Sequence, residues 1–408
     1  MCKIQSIKAH KILNSRGDWT IRTQVTLDDG SIGVQTVPDG ASKGENEAMY
    51  IPTDKAVEVV STVLNDALVE ENPFAQTALD EVLIQMDGTS NKSHLGGNSI
   101  ISVSLALAKA AAVSQKLELY QYLSKIYSGK SLTRSELKFP TPVFNIINGG
   151  KHAQNNLSFQ EFMVIPAKGM QFDKSMEIGV STYHKLKELL YNGGFVTGVG
   201  DEGGFAPAGL TVHAALEKIR EAADKIATPG KDVFFGMDVA AESFFKSTLY
   251  TIREENLEFD HKGLSDYYAK LLKDFELIYI EDPFYERDIH GWADFYKSHK
   301  DKLMLVADDL VVTNPRFLKK AITGELANSV IVKPNQVGTL SETFEFIKMA
   351  QAAHMNIVVS HRSGETGEDT FIADLALAVG ADFIKSGAPV RGERVVKYNR
   401  LLDVFYSE

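Results

Sequence analysis

Polar and apolar positions alternate near the start of the chain. Ile21, Thr23, Val25 and Leu27 face one way and Thr20, Arg22, Gln24 and Thr26 the other, which predicts a half-buried strand. Asp29-Gly30 supplies a hairpin turn, and Ile32 to Val37 reads as the returning strand. A loop rich in Gly and polar residues follows from Pro38 to Asn46. The pattern then turns helical: Val57, Val60, Leu64 and Leu68 recur at helical spacing, and Asn98 is placed to cap a long helix through Gln115. A polar stretch from Ser128 to Pro142 marks a boundary. It predicts an N-terminal α+β unit, residues 1–130, and a second unit, residues 138–408.

Beyond that boundary the rhythm changes. Short apolar runs recur, each ending in a side chain with chemistry: Phe234 to Met237 at Asp238, Leu277 to Ile280 at Glu281, and Leu303 to Ala307 at Asp308. Val330 to Val332 then ends at Lys333, Ile357 to Ser360 at His361, and Phe383-Ile384 at Lys385. Successive end residues are 43, 27, 25, 28 and 24 positions apart. A strand, a crossover helix and two loops need about 30 residues. Pro315 to Ala321 and Ser341 to Ala353 carry helical signals in the gaps. Continuous apolar strands in repeated βα units predict a parallel sheet covered on both faces, closed into a barrel with these six side chains at one rim. A solvated loop explains a polar residue after any one strand. It does not explain three carboxylates, a lysine, a histidine and another lysine at the same edge.

Composition narrows the functional classes. Of 408 residues, 43 are Lys or Arg and 54 are Asp or Glu, a formal charge of −11 that disfavours a general nucleic-acid binder. The one cysteine, Cys2, excludes a disulfide framework and a thiolate metal cluster. The longest apolar-rich stretch, Ile100 to Val113, is broken by Ser102, Ser104 and Lys109 and falls short of the about 20 residues that span a bilayer. Met1 to Ser6 lacks the apolar run of a signal peptide. The expectation is a cytoplasmic protein in a reducing compartment, with no nucleic-acid or membrane partner.

Asp238, Glu281 and Asp308 offer hard oxygen donors, a set suited to Mg²⁺. Lys333 and Lys385 share the rim, and a lysine serves as a base only when neutral; nearby cationic charge favours that state. Together they point to proton abstraction beside a carboxylate whose developing charge is neutralised by cations. Upstream, Glu161 and Glu202 form a candidate carboxyl pair in which one member stays protonated as a general acid. His361-Arg362-Ser363-Gly364 offers a guanidinium, a hydroxyl and open backbone, suited to an anion. Gly198 to Gly203 matches the dinucleotide glycine pattern, but Pro207 and Gly209 interrupt the helix that pattern requires.

Longer motifs resemble the enolase family along nearly the whole chain. They are Asn14-Ser15-Arg16-Gly17, Pro38 to Ser42, Asp87-Gly88-Thr89, Asn91-Lys92-Ser93, Gly200 to Pro207, Ile280 to Phe284, Val306 to Leu310, Lys333 to Gln336, Ser360 to Thr366 and Lys385 to Pro389. The resemblance implies an α/β fold: a small α+β N-terminal domain on a modified (β/α)8 barrel whose first units depart from the regular order. It implies the glycolytic, reversible dehydration of 2-phospho-D-glycerate to phosphoenolpyruvate, with two Mg²⁺ per site, the second arriving with substrate. Asp238, Glu281 and Asp308 would hold the first ion, and Ser42 would help hold the second. Lys333 would take the proton at carbon 2, and Glu202, assisted by Glu161, would protonate the leaving hydroxyl. Lys385 would contact the substrate carboxylate, Arg362 and Ser363 the phosphate, with His152, Gln160 and His361 lining the pocket. The family is typically a homodimer, sometimes an octamer.

Departures from the family pattern lie near the substrate. Asp39 and Lys43 stand where such loops usually carry Ser and Thr, and the segment after Ala48 is short. Glu242-Ser243 reverses the usual order, and Gly367 reads as an insertion. They admit a second reading, a paralogue acting on a related phosphorylated or phosphonate hydroxy acid. An inactive scaffold is a third, against which every catalytic group is retained.

Overall fold

The computed structural model describes residues 2–41, 44 and 46–407. Ser42 and Lys43 therefore lie outside the described residues. The first unit is a three-stranded antiparallel sheet, β1 (Ile4–Leu13), β2 (Trp19–Leu27) and β3 (Ile32–Thr36), in the order β1-β2-β3. Gly30 turns the predicted hairpin with φ of 87°, a conformation open to glycine at no steric cost. α1 (Gln76–Asp87) packs on α2 (Gly97–Ser114), and α2 lies against the sheet. By length and composition α2 is apolar enough to cross a membrane, but protein buries it along most of its length, and Ser102 within it pairs with Thr23 of β2. Asn98 does not cap this helix. It lies inside the first turn and both accepts from Ile51 N and donates to Ile51 O, tying the preceding loop down.

Asp87-Gly88-Thr89 ends α1 with Gly88 in the left-handed conformation. The Asp87 carboxylate accepts from the Thr89 hydroxyl and from the backbone N–H of Thr89, His94 and Leu95. Burial pushes its pKa up, but those four donors outweigh burial and hold it below the ordinary value. A carboxyl whose folded pKa is depressed adds stability above its unfolded pKa of about 3.9, and that stability is lost as pH falls through the folded value. Asp87→Asn is therefore expected to lower unfolding stability by about 1–3 kcal/mol at pH 7. In urea melts the gap between variant and wild type should narrow at pH 3; a gap equal at both values would contradict the assignment.

The second unit is a closed barrel of eight strands. They are β4 (Thr141–Asn148), β5 (Glu161–Pro166), β6 (Val233–Asp238), β7 (Leu277–Glu281), β8 (Met304–Ala307), β9 (Ser329–Val332), β10 (Asn356–Ser360) and β11 (Phe383–Lys385). The order around the barrel is β7-β8-β9-β10-β11-β4-β5-β6. Six strands are those anticipated from the apolar runs. β5 runs antiparallel to both neighbours, and the other pairings are parallel. The irregular start arises because β4 and β5 connect without a crossover helix, whereas α3 (Phe172–Asn192) and α4 (Val212–Asp224) both follow β5. Val143, Met163, Ile165, Tyr279, Val306, Ile331, Val358 and Phe383 pack together inside the barrel as an apolar plug. The polar ends of the strands sit above that plug and the loops converge over it.

Asp39, Gly40, Ala41 and Glu47 of the first unit reach this rim. Asp39 and Gly364 exchange two backbone hydrogen bonds of 2.8 Å. A Cβ at Gly364 would meet Asn14 Nδ2 at 2.8 Å and Asp39 O at 2.9 Å, so the contact needs glycine there.

Candidate active site

Register sets the first row of carboxylates. Glu161 of β5 pairs with Asp238 of β6, and Asp238 pairs with Glu281 of β7, so three acids from three adjacent strands stand side by side. Lys385 closes β11 across the barrel, and its Nζ lies 3.2 Å from Glu161 Oε2, 3.2 Å from Asp238 Oδ2 and 2.9 Å from Glu281 Oε2. Gln160 Nε2 donates to Asp238 Oδ2 at 3.3 Å, and the Tyr279 hydroxyl donates to Glu281 from the plug below. Asp308 follows β8; its Oδ2 accepts from Lys333 Nζ, and its Oδ1 accepts from Gln336 at 3.0 Å. Asp282 bends the chain after β7 with φ of 41° and accepts from Asp308 N and Asp309 N at 3.0 and 2.9 Å.

Crowding of like charge raises several of these acids. Burial, then Asp238, lifts Glu281 to about 7, and burial with neighbouring acids raises Asp282 and Asp309 as well. The lysines respond oppositely. Burial alone would lower Lys385 and Lys333, but the surrounding carboxylates outweigh it and hold both above the ordinary lysine value. The neutral amine anticipated for Lys333 is thus not set by the protein's own charges, because Asp308 stabilises the ammonium.

A second cluster stands beside β5. His152 Nδ1 is 3.6 Å from Glu161 Oε1 and 3.4 Å from Glu202 Oε1. Glu202 Oε2 accepts from Asn145 Nδ2 at 2.9 Å and lies 3.5 Å from His361 Nε2. Glu202 reaches this place because the loop packs tightly: a Cβ on Gly200 would come within 2.5 Å of His152 O. Burial and then Glu202 push Glu161 well up. Burial also pushes at Glu202, but His152 and His361 outweigh it and hold that acid low. A proton entering the pair therefore settles first on Glu161, with His152 in reach of both.

The third cluster is cationic. Arg362 forms a two-pronged pair with Glu47 of the capping loop, Nη1 to Oε2 at 2.7 Å and Nη2 to Oε1 at 3.2 Å. Ser363 Oγ accepts from Ala41 N at 2.6 Å and from Arg16 Nη1 at 3.2 Å.

All three clusters line one cavity with about 400 Å³ of empty space. His152, Gln160, Glu161, Glu202, Asp238, Asp308, Lys333, His361, Arg362, Ser363 and Lys385 face it, with Asp282, Asp309, Gly40 and Ala41. Glu281 sits just beneath, on Lys385. The sequence gives no sign of Asn145 or Glu47, and Asp282 and Gln336 lie within the quoted motifs without a role assigned to them. Of the departures, Asp39 is not among the lining residues, its Oδ2 lying 4.0 Å from Arg16, and Gly367 is exposed with open space about it.

The lining sets six carboxyls against three cationic side chains, Lys333, Arg362 and Lys385. Hard oxygens in excess of cations suit a divalent metal ion, and Asp282, Asp308 and Asp309 bring carboxylate oxygens within 4.8 Å of one another. The fold and site together define a capped barrel with acids and lysines at the strand ends, under a smaller N-terminal sheet domain. Comparison with known proteins agrees. Residues 4–123 match the family description "Enolase, N-terminal domain", and residues 136–406 match "Enolase, C-terminal TIM barrel domain". The enolase of Lactobacillus helveticus is 43% identical over 413 residues, covering 98% of this chain and 94% of that one. The enolase of Lactobacillus delbrueckii subsp. bulgaricus is 42% identical, with 98% and 95% covered, and "Enolase 2" of Lactiplantibacillus plantarum is 41% identical, with 98% and 94% covered. The chain belongs to the enolase family and is a carbon–oxygen hydro-lyase of the phosphopyruvate hydratase class.

Proposed function

We propose that the protein catalyses the Mg²⁺-dependent, reversible dehydration of 2-phospho-D-glycerate to phosphoenolpyruvate. One observation carries the reading: a lysine follows β9 and a carboxyl pair stands beside β5, and these strands are opposite one another in the order around the barrel. An elimination needs that arrangement, a base on one side of the substrate and an acid on the other.

Lys333, once neutral, takes the proton from carbon 2. The electron pair of that C–H bond spreads into the substrate carboxylate, which Lys385 faces. The pair then forms the double bond between carbons 2 and 3 as the carbon-3 hydroxyl leaves, protonated by Glu202 to give water. Glu202, unprotonated at rest, receives that proton from Glu161 through His152 before the hydroxyl leaves. Arg362 and Ser363 hold the phosphate, and this requires Arg362 to release Glu47 as the anion arrives. Gln160 and His361 keep Asp238 and Glu202 in place. Asp238, Glu281 and Asp308 would hold one Mg²⁺, and Ser42, outside the described residues, would help hold another. When bound, the ions neutralise the charge that develops on the carboxylate. The resemblance extends the proposal to a cytoplasmic homodimer or octamer, with domains at 1–130 and 138–408.

Ultraviolet absorbance tests the reading, because the product has a conjugated double bond and the substrate has none. Absorbance should rise when the substrate and Mg²⁺ are supplied, and no rise with folded protein would overturn it. Asp308→Ala should raise the Mg²⁺ concentration for half-maximal rate by about tenfold or more. An unchanged requirement would mean that Asp308 is not a ligand.

A further inference from the structure

The last helix, α5 (Gly392–Tyr406), begins with an inward polar face. Arg394 and Lys397 have relative exposures of 0% and 1%, in the first two turns of a surface helix. Such burial of a guanidinium requires compensating acceptors. Arg394 Nη1 donates to His361 Nδ1 at 2.5 Å and to Arg362 O at 2.6 Å, and Nη2 donates to Ser363 O. Glu365, which also accepts from Lys397, lies 3.3 Å from Nη1.

A guanidinium carries no acceptor and keeps its protons at any working pH. His361 Nδ1 must therefore be the acceptor, and the single ring proton of the neutral imidazole then belongs on Nε2. That nitrogen faces Glu202 Oε2, which already accepts from Asn145. Two donors on Oε2 leave Oε1 as the other oxygen of Glu202. Oε1 is the one that faces His152, and through it Glu161.

We propose that Arg394 is a positioning residue for the proton transfer: it fixes His361 as the Nε2–H tautomer and thereby assigns the mobile proton of Glu202 to Oε1. The charged groups around the ring are Glu202, Arg394 and Glu365. Burial and Arg394 outweigh the two acids and push His361 down to about 4, so the ring is neutral at pH 7. A histidine bonded the other way would present a bare nitrogen to Glu202 and place the proton on the wrong oxygen. Tautomer errors of this kind cost orders of magnitude in other acid–base sites.

The assignment to Glu202 rests on the proposed function, but the tautomer of His361 does not, and the test separates them. The full-length protein is labelled with ¹⁵N-histidine, and His361 is assigned by comparison with His361→Gln. At pH 7 wild type should show His361 with Nε2 protonated and Nδ1 bare. Arg394→Met, of similar length and without donors, should introduce the Nδ1–H form and lower kcat by about 100-fold. Arg394→Lys, which keeps a donor, should restore the wild-type signal and part of the rate. A merely structural Arg394 would leave the ring signal of a folded Arg394→Met unchanged, and that result overturns the proposal. So does wild-type His361 protonated on Nδ1 or on both nitrogens, a reading that stands even where the variants fail to fold. A correct tautomer in a protein that dehydrates nothing would sink the functional reading alone.

Discussion

Lys333→Ala is expected to lose kcat by about 10⁴-fold or more, because no other described group occupies the end of β9 to accept the carbon-2 proton. The loss should appear before dehydration: exchange of that proton with deuterated solvent should stop as well. The fold should survive, since Lys333 Nζ contacts the cavity's Asp308 rather than the apolar plug. Removing the ammonium also frees Asp308 Oδ2, so Mg²⁺ affinity should be retained or rise. Retained exchange in the variant would mean that another group is the base.

Glu202→Gln separates the second half of the reaction from the first. Glutamine fills the same volume and keeps a carbonyl for Asn145 and His361, but it has no acidic proton for the leaving hydroxyl. Dehydration should fall by about 10³-fold or more, at the upper part of the range for one acid–base group. Exchange at carbon 2 should persist, because Lys333 follows a different strand on the far side of the barrel. Loss of exchange equal to the loss of dehydration, in a folded variant, would contradict the division of roles.

Physical reasons decide which parts of this molecule were legible in the sequence. β6 to β11 are buried on both faces, so each reads as an unbroken apolar run, and the end of the run names the rim residue. The boundary segment Ser128 to Pro142 runs into the start of β4, whose second residue, Pro142, ordinarily argues against a central strand. β1 shows no clean alternation because it is an edge strand in which only Ile4 and Ile7 are buried. The small sheet of Phe245–Lys246, Leu249–Ile252 and Leu257–Phe259 has strands too short to show a period.

The site divides in the same way. Asp238, Glu281, Asp308, Lys333, His361 and Lys385 announce themselves by position. Glu47 acquires its meaning from Arg362, 315 residues away, and no local pattern joins them. Arg394 is fully buried although it stands at the start of a helix rich in charged residues, and no local pattern marks it. Nor do the residues alone give the charge state of Lys333, which depends on whether Asp308 faces it or a metal ion.

The decisive measurement is anomalous scattering from crystals grown with Mn²⁺ in place of Mg²⁺. A peak bounded by the carboxylates of Asp238, Glu281 and Asp308, with Lys333 Nζ released from Asp308, is the expected result. A peak elsewhere, with the three acids still bridged by Lys385 and Lys333, would contradict the central claim.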